Sequence, residues 1–279
     1  MFRVNTISAK GFAWFRSILG VYLCIHFIPL IPYAAEVWGN HGLLPDASVN
    51  LTYGVLPDVL SHLSDGQLSA LIGLLAALSL LLASGYARPW VALLLWLAWV
   101  LLFNRNNFIG NPSLAFIGWL LLVCAVVPTG ERRWLDRPSK AEWHFPRMLF
   151  VAAWIIMAAA YTVSGLDKLK APGWCDGSAM HHLLVNPLAR PSALREWMLT
   201  APEWILSAMT YAVLCVEISF FPLAIFTRTR RWIWLAMVLT HLGILVFVDF
   251  ADLTLGMLMI HVFTYDPLWW KGSSAQHAD

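Results

Sequence analysis

The stretch Tyr161-Thr-Val-Ser-Gly-Leu-Asp-Lys-Leu-Lys-Ala-Pro-Gly-Trp174 opens as the end of an apolar helix and closes as a polar turn broken by Gly and Pro. Lys168 falls where membrane hydrocarbon gives way to headgroups, with Asp167, Lys170 and Trp174 beside it. A charged side chain at that boundary either snorkels to water as an anchor or belongs to a site. Taking an ammonium out of water favours the neutral amine, which is a usable base. Spacing alone leaves both readings open, and the anchor is the commoner fate of a lysine at a helix end.

Working outward, the 279-residue chain is 59% hydrophobic and only 12% charged. A soluble domain carries about 25% charged residues. Apolar runs near the length that matches the bilayer's hydrocarbon thickness recur along the chain. They occupy about 12–38, 68–83, 90–103, 113–127, 149–163, 205–226, 232–250 and 253–262. The reading is an all-α integral membrane protein, a single domain over 1–279 with a bundle of about eight transmembrane helices in a core of about 12–265. Between the runs lie a loop at 39–67, a strongly charged loop at 131–147, and a long loop at 165–202 expected to hold short helical pieces. Many of the 16 Trp stand at the ends of runs, as an interfacial belt requires. A net charge of +2 is too small to suggest nucleic acid.

Eighteen Lys and Arg set the orientation. With a cytoplasmic N-terminus, only Arg105, Lys168, Lys170, Arg190 and Arg195 fall on the far side. The basic side holds Arg3, Lys10, Arg16, Arg88, the Arg132–Lys140 cluster, Arg147, the Arg228–Arg231 turn and Lys271. The positive-inside rule then gives an even number of spans with both termini cytoplasmic. Lys168 lies on the non-cytoplasmic face.

Other polar residues compete for the site. Glu217 lies well inside the sixth run, where an ionisable group costs about 2.5–3.5 kcal/mol on insertion scales. It needs a partner or a polar cavity, and it reads equally as a structural pair. His241 has Asp249 eight residues on, which a continuous helix would put on the same face. His26, His241 and His261 form no local ligand motif, so no metal site is expected. Asn104-Arg-Asn-Asn107 and Asn111-Pro-Ser113 either line a polar pocket or cap a helix. Cys24, Cys124, Cys175 and Cys215 make no CxxC pair and no disulfide framework. No Walker sequence or GxSxG is present, which argues against nucleotide-driven transport and soluble-type hydrolysis.

The central stretch, continued through Gly177-Ser-Ala-Met180, resembles the Gly-x-x-Lys-Leu…Trp…Gly segment of the vitamin K-dependent gamma-carboxylase membrane domain. Bacterial relatives share that segment as the horizontally transferred transmembrane (HTTM) domain. The opening Phe12-Ala-Trp-Phe-Arg-Ser-Ile-Leu-Gly20 resembles the family's first helix, and Glu217 with Phe-Phe-Pro222 its sixth-to-seventh helix region. His241 falls where the family has a histidine. The resemblance implies that Lys168 is the general base toward a reduced quinone of vitamin K or menaquinone type. It implies O2 as oxidant and CO2 as the group added. Tyr161, Asp167, Trp174, Glu217, His241 and Asn111 would line the quinol pocket. It further implies a bacterial inner membrane, with the site on the periplasmic side.

Departures narrow this expectation. Where the carboxylase has an Asn-His pair, this sequence has Asn111-Pro112. Carboxylation then lacks its histidine, and quinol oxidation or epoxidation without it stays open, as does coupled modification of a secreted peptide. The competing expectation is a non-catalytic membrane partner that binds a lipid or a secreted or periplasmic peptide through the 39–67 and 165–202 loops.

Overall fold

The computed structural model describes residues 7–131 and 143–270. Arg3, Arg132, Arg133, Arg137, Lys140 and Lys271, all used in the charge count, lie outside the described residues. Among the described residues the regular structure is helical, apart from one isolated β-bridge between Ala189 and Val248. The helices cluster into two compact units, one formed before Arg147 and one from Arg147 onward.

The first unit contains α1 (Ala9–Phe27), α2 (Ala34–Trp38), α3 (Asp65–Ser84), α4 (Arg88–Arg105) and α5 (Ser113–Val126). The second contains α6 (Arg147–Lys168), the short α7 (Pro172–Cys175), α8 (Ala179–Val185) and α9 (Ala193–Leu199), and then α10 (Glu203–Ile225), α11 (Thr227–Phe247) and α12 (Ala251–Thr264). Among the described residues, five segments are long and apolar enough to cross a membrane: Ala9–Leu30, α3, α6, α10 and α11. At 1.5 Å per residue, the 22 residues of α6 reach about 33 Å, against about 30 Å of hydrocarbon. Helices stand in all eight apolar runs, but α5 and α12 have only 14 residues each.

Local chemistry explains several boundaries. Pro29 and Pro32 break the first run after α1, because a proline ring removes a backbone donor and clashes with the preceding turn. Ser64 and Gln67 form a reciprocal capping box at the start of α3. Gly85 ends that helix in the left-handed region at φ 84°. Two expectations are corrected. The fifth run does not end near residue 163; α6 continues through Lys168, since Gly165 is packed rather than free to unwind and the next proline is Pro172. Asp249 does not share a helix face with His241, because α11 ends at Phe247. Asp249 lies beyond it, with its backbone N–H donating to the Leu188 carbonyl and its carboxylate facing Arg190.

The core of the first unit contains charges. α1 packs on α3 so closely at Gly20 that a Cβ there would lie 2.5 Å from the Ser79 carbonyl oxygen. Arg16, fully buried, donates from Nη1 to the carbonyls of Leu82 and Ala83, each at 2.6 Å. Those groups stand at the end of α3, where the helix dipole favours a cation. Arg88 treats the end of α5 the same way, donating to the carbonyls of Cys124, Val127 and Pro128. Glu131 accepts from Arg88 and lies 3.9 Å from Arg16 Nε, so one carboxylate is shared between two buried guanidinia. Arg105 donates to the carbonyls of Leu44 and Gly39, closing the loop after α2 onto α4.

Replacing Arg16 by Met removes the guanidinium from both α3 carbonyls, leaving Leu82 with the Gly85 N–H and Ala83 with the Ser17 hydroxyl. The unfolding free energy of the detergent-solubilised protein is expected to fall by about 1–3 kcal/mol, read from its thermal transition. Arg16→Lys recovers only part of this, because a single ammonium cannot reproduce the guanidinium fork. A Met variant that melts with the wild type would show that the clamp contributes nothing.

Candidate functional site

The site is built on the seam between α6 and α10. Gly165 makes the seam possible: a Cβ at that position would lie 2.9 Å from Glu217 Cβ and from the Ile218 backbone nitrogen. Pro222 opens α10 one turn beyond Glu217, because it cannot bond back to the Ile218 carbonyl. Thr162 of α6 fills the opening. Its hydroxyl accepts from Phe221 N–H at 3.0 Å and donates toward the Glu217 carbonyl at 3.2 Å, with the Ile218 carbonyl at 3.4 Å. One side chain thus replaces the missing rung of the neighbouring helix and holds the backbone of Glu217.

Lys168 ends α6 on the same seam. Its Nζ donates to Glu217 Oε2 at 2.5 Å and to Ser164 Oγ at 2.8 Å. Ser164 Oγ is itself 3.3 Å from the same carboxylate oxygen. The side chains of Lys168 and Glu217 are only 24% and 11% exposed. Trp174, on α7, lies with its ring 5.2 Å from the ammonium, in the range of a cation–π contact. The chain between Lys168 and Trp174 is short, and two contacts dock it onto α10. Tyr211 donates to the Cys175 carbonyl at 3.0 Å, and Gly177, at φ 85°, has no room for a Cβ against Ser207. At the same turn Asp176 accepts from the hydroxyl and then the backbone N–H of Ser178, which hold its carboxyl below the usual carboxylate range. A depressed folded value means this contribution is complete above the unfolded value near ~3.9 and is lost as pH falls through the folded one.

Two turns deeper on α6, about 10 Å along the axis, Tyr161 shares the face of Lys168. Its hydroxyl lies 2.7 Å from His241 Nε2 of α11 and 2.9 Å from His261 Nε2 of α12. All three residues are buried, and the Nδ1 atoms of both histidines lack a partner. The Phe220 ring packs 4.9 Å from Tyr161, and Trp234 meets His261 edge-on.

Of the residues expected at the site, the second unit joins Lys168 to Glu217 and Trp174, and Tyr161 to His241. Asp167 is not drawn in; one position round the helix from Lys168, it pairs with Lys170 at 2.6 Å on the exposed surface. Asn111 belongs to the first unit, where its side chain accepts from Ser113 N–H at the start of α5. His26 also belongs to the first unit. Thr162 is a site member the sequence reading does not single out, while Ser164 is read only as a small packing residue and His261 only within a histidine set. A hydroxyl one helical turn before Lys168 and another beside a proline-bearing helix were the available signals. His261 carried none beyond being a polar residue in an apolar run.

Among the described residues, fold and site together define an all-helical protein with five helices long and apolar enough to cross a membrane, and with an ion pair and a phenol–imidazole cluster inside one unit. No protein-family model matches the chain, and neither a curated protein nor a solved structure shows significant similarity to it.

Thr162→Val keeps the shape but removes the shared rung. It is expected to lower stability by about 0.5–1.5 kcal/mol, the net worth of a hydrogen bond, whereas Thr162→Ser stays near wild type. Thermal unfolding of the three proteins in one detergent makes the comparison. Equal transitions for Val and Ser would mean the hydroxyl does not hold α10.

Proposed function

We propose that this chain is a multi-pass membrane protein of about eight helices, with both termini cytoplasmic. Its Lys168–Glu217 pair takes a proton from a lipid quinol at the non-cytoplasmic end. The observation that carries the reading is the pair itself: an ammonium and a carboxylate in contact, largely withdrawn from water, with the lysine still partly reachable. Proton accounting sets the roles. A lysine in an ion pair has no free lone pair, so the carboxylate of Glu217 is the acceptor. The quinol O–H bond breaks, its electron pair stays on the quinol oxygen, and the Lys168 ammonium offsets the new negative charge. The base is thus the pair rather than Lys168 alone. Trp174 offers a flat apolar face to an aromatic head group beside the ammonium.

The resemblance of the 161–180 stretch to the gamma-carboxylase and HTTM segment supports the same reading and supplies the chemical classes. The substrate is a reduced quinone of vitamin K or menaquinone type, and O2 takes its electrons. Pro112, where that family has a histidine, favours oxidation or epoxidation over CO2 addition. A secreted or periplasmic peptide is the partner such a reaction would modify, and a bacterial inner membrane is the setting. The exposed apolar side chains of Leu51, Tyr53 and Val55 in the first unit favour a second reading, a non-catalytic lipid- or peptide-binding protein.

In reconstituted vesicles, oxygen-dependent oxidation of menadiol above the protein-free rate is expected to fall about 10²–10⁴-fold in Lys168→Ala and in Glu217→Gln, the range for a lost acid–base group. Turnover unchanged in both variants removes the quinol reading. Capture of a periplasmic peptide that survives Lys168→Ala would favour the second.

A further inference from the structure

The Asn-rich stretch at the end of α4, with the loop packed on it, is inside out for chain that faces water. Asn104, Asn106 and Asn107 are buried, as is Asn50 of the loop. The apolar side chains among them point outward: Leu51 is 83% exposed and Val55 74%, and Tyr53, Phe108 and Ile109 are exposed as well. Neither 49–56 nor 106–112 contains a charged residue.

The buried amides hold the two stretches together. Asn50 Nδ2 and the Thr52 hydroxyl both donate to the Asn104 carbonyl. The Asn107 side chain accepts from Leu51 N–H at 3.4 Å and donates to Thr52 Oγ1 at 3.2 Å. Asn106 accepts from Phe108 N–H at 3.2 Å. The N–H groups of Tyr53, Val55 and Gly110 each close onto the carbonyl three residues back. Two side-chain oxygens, Asn50 Oδ1 and Asn104 Oδ1, lack a partner, but these backbone groups do not. A bilayer demands such internal pairing of any irregular backbone that approaches hydrocarbon.

Helix length sets the depth. Arg88, at the start of α4, donates to carbonyls at the end of α5, so the two helices are nearly level there. Trp90 is exposed beside Arg88, as an interfacial anchor would be. From that level, the 18 residues of α4 rise about 27 Å and the 14 of α5 span about 21 Å. The hydrocarbon is about 30 Å thick. The connection between them, 106–112, therefore begins at or below the opposite hydrocarbon edge.

We infer that 49–56 and 106–112 form a cap on the first unit that dips into the headgroup–acyl boundary, with Leu51, Tyr53, Val55, Phe108 and Ile109 against lipid. Uncharged apolar tips suit acyl chains, and a tyrosine suits the boundary. The inference rests on the multi-pass reading and not on quinol chemistry. It gives to the bilayer the side chains that the second reading gives to a bound lipid or peptide.

The test uses the full chain in phosphatidylcholine vesicles, with Cys175→Ser and Cys215→Ser removing the two exposed thiols. A nitroxide is attached in turn to Leu51→Cys, Tyr53→Cys, Val55→Cys and Phe108→Cys, and to Leu74→Cys at an exposed position of α3. Its relaxation by oxygen, which concentrates among acyl chains, is compared with relaxation by a water-soluble nickel chelate. The cap predicts that oxygen prevails at all four loop positions, about 5–10 Å into the boundary. Nickel prevailing at any of the four while oxygen prevails at Leu74 overturns the cap alone, and leaves that surface in water for a soluble partner. Nickel prevailing at Leu74 as well removes the multi-pass reading with it. If a labelled variant does not fold, the wild-type chain is photolysed in vesicles of a phosphatidylcholine with a diazirine near its ester groups. Adducts at 51–56 and 108–109 uphold the cap, and adducts confined to helix faces overturn it.

Discussion

A carboxylate in the middle of an apolar helix must find a partner or be expelled from it, and in this chain Glu217 finds Lys168. The other features of the second unit's site depend on that meeting. It requires α6 and α10 to approach at Gly165, where any larger residue would hold the backbones apart. It requires α10 to tolerate Pro222, which Thr162 makes possible by replacing the lost rung. It also requires α6 to continue past Gly165, so that Lys168 lies one turn from Ser164 and two from Tyr161. With the charges paired, both side chains can stay mostly out of water, the condition under which proton transfer and electrostatic stabilisation are strong.

The first unit meets the same constraint by a different route. Its buried cations face helix ends rather than a lone carboxylate. Arg16, Arg88 and Arg105 each donate to backbone carbonyls where a helix or turn stops, and Glu131 is shared between two of them. The difference bears on function. Arginines held by carbonyls at helix and turn ends are fasteners. Lys168 and Glu217 are committed only to each other, to one hydroxyl and to an aromatic face, and proton transfer between a pair and a ligand remains chemically open.

Legibility in the sequence followed the range of the interaction. Apolar runs of membrane-spanning length gave helices in the right order, and the Gly–Pro-rich 165–202 segment did hold short helical pieces. Lys168, Glu217 and Trp174 stood out because ionisable or amphipathic residues near apolar helices are conspicuous. Asp167 looked equally eligible, yet one residue's turn of about 100° sends it to the surface and to Lys170. Asp249 looked like a helical neighbour of His241 only while the helix was assumed to reach it.

By itself the sequence determined that the chain is helical and apolar enough to cross a membrane several times, because these properties depend on composition and local periodicity. It also marked which polar groups were too costly to leave unpartnered. Only the tertiary structure decided the partners. Lys168 and Glu217 are 49 positions apart, Tyr161 and His261 are 100 apart, and their contacts exist only because α6, α10, α11 and α12 pack against one another. Side-chain pairing across helices depends on packing angle and register, which no local pattern along one helix encodes.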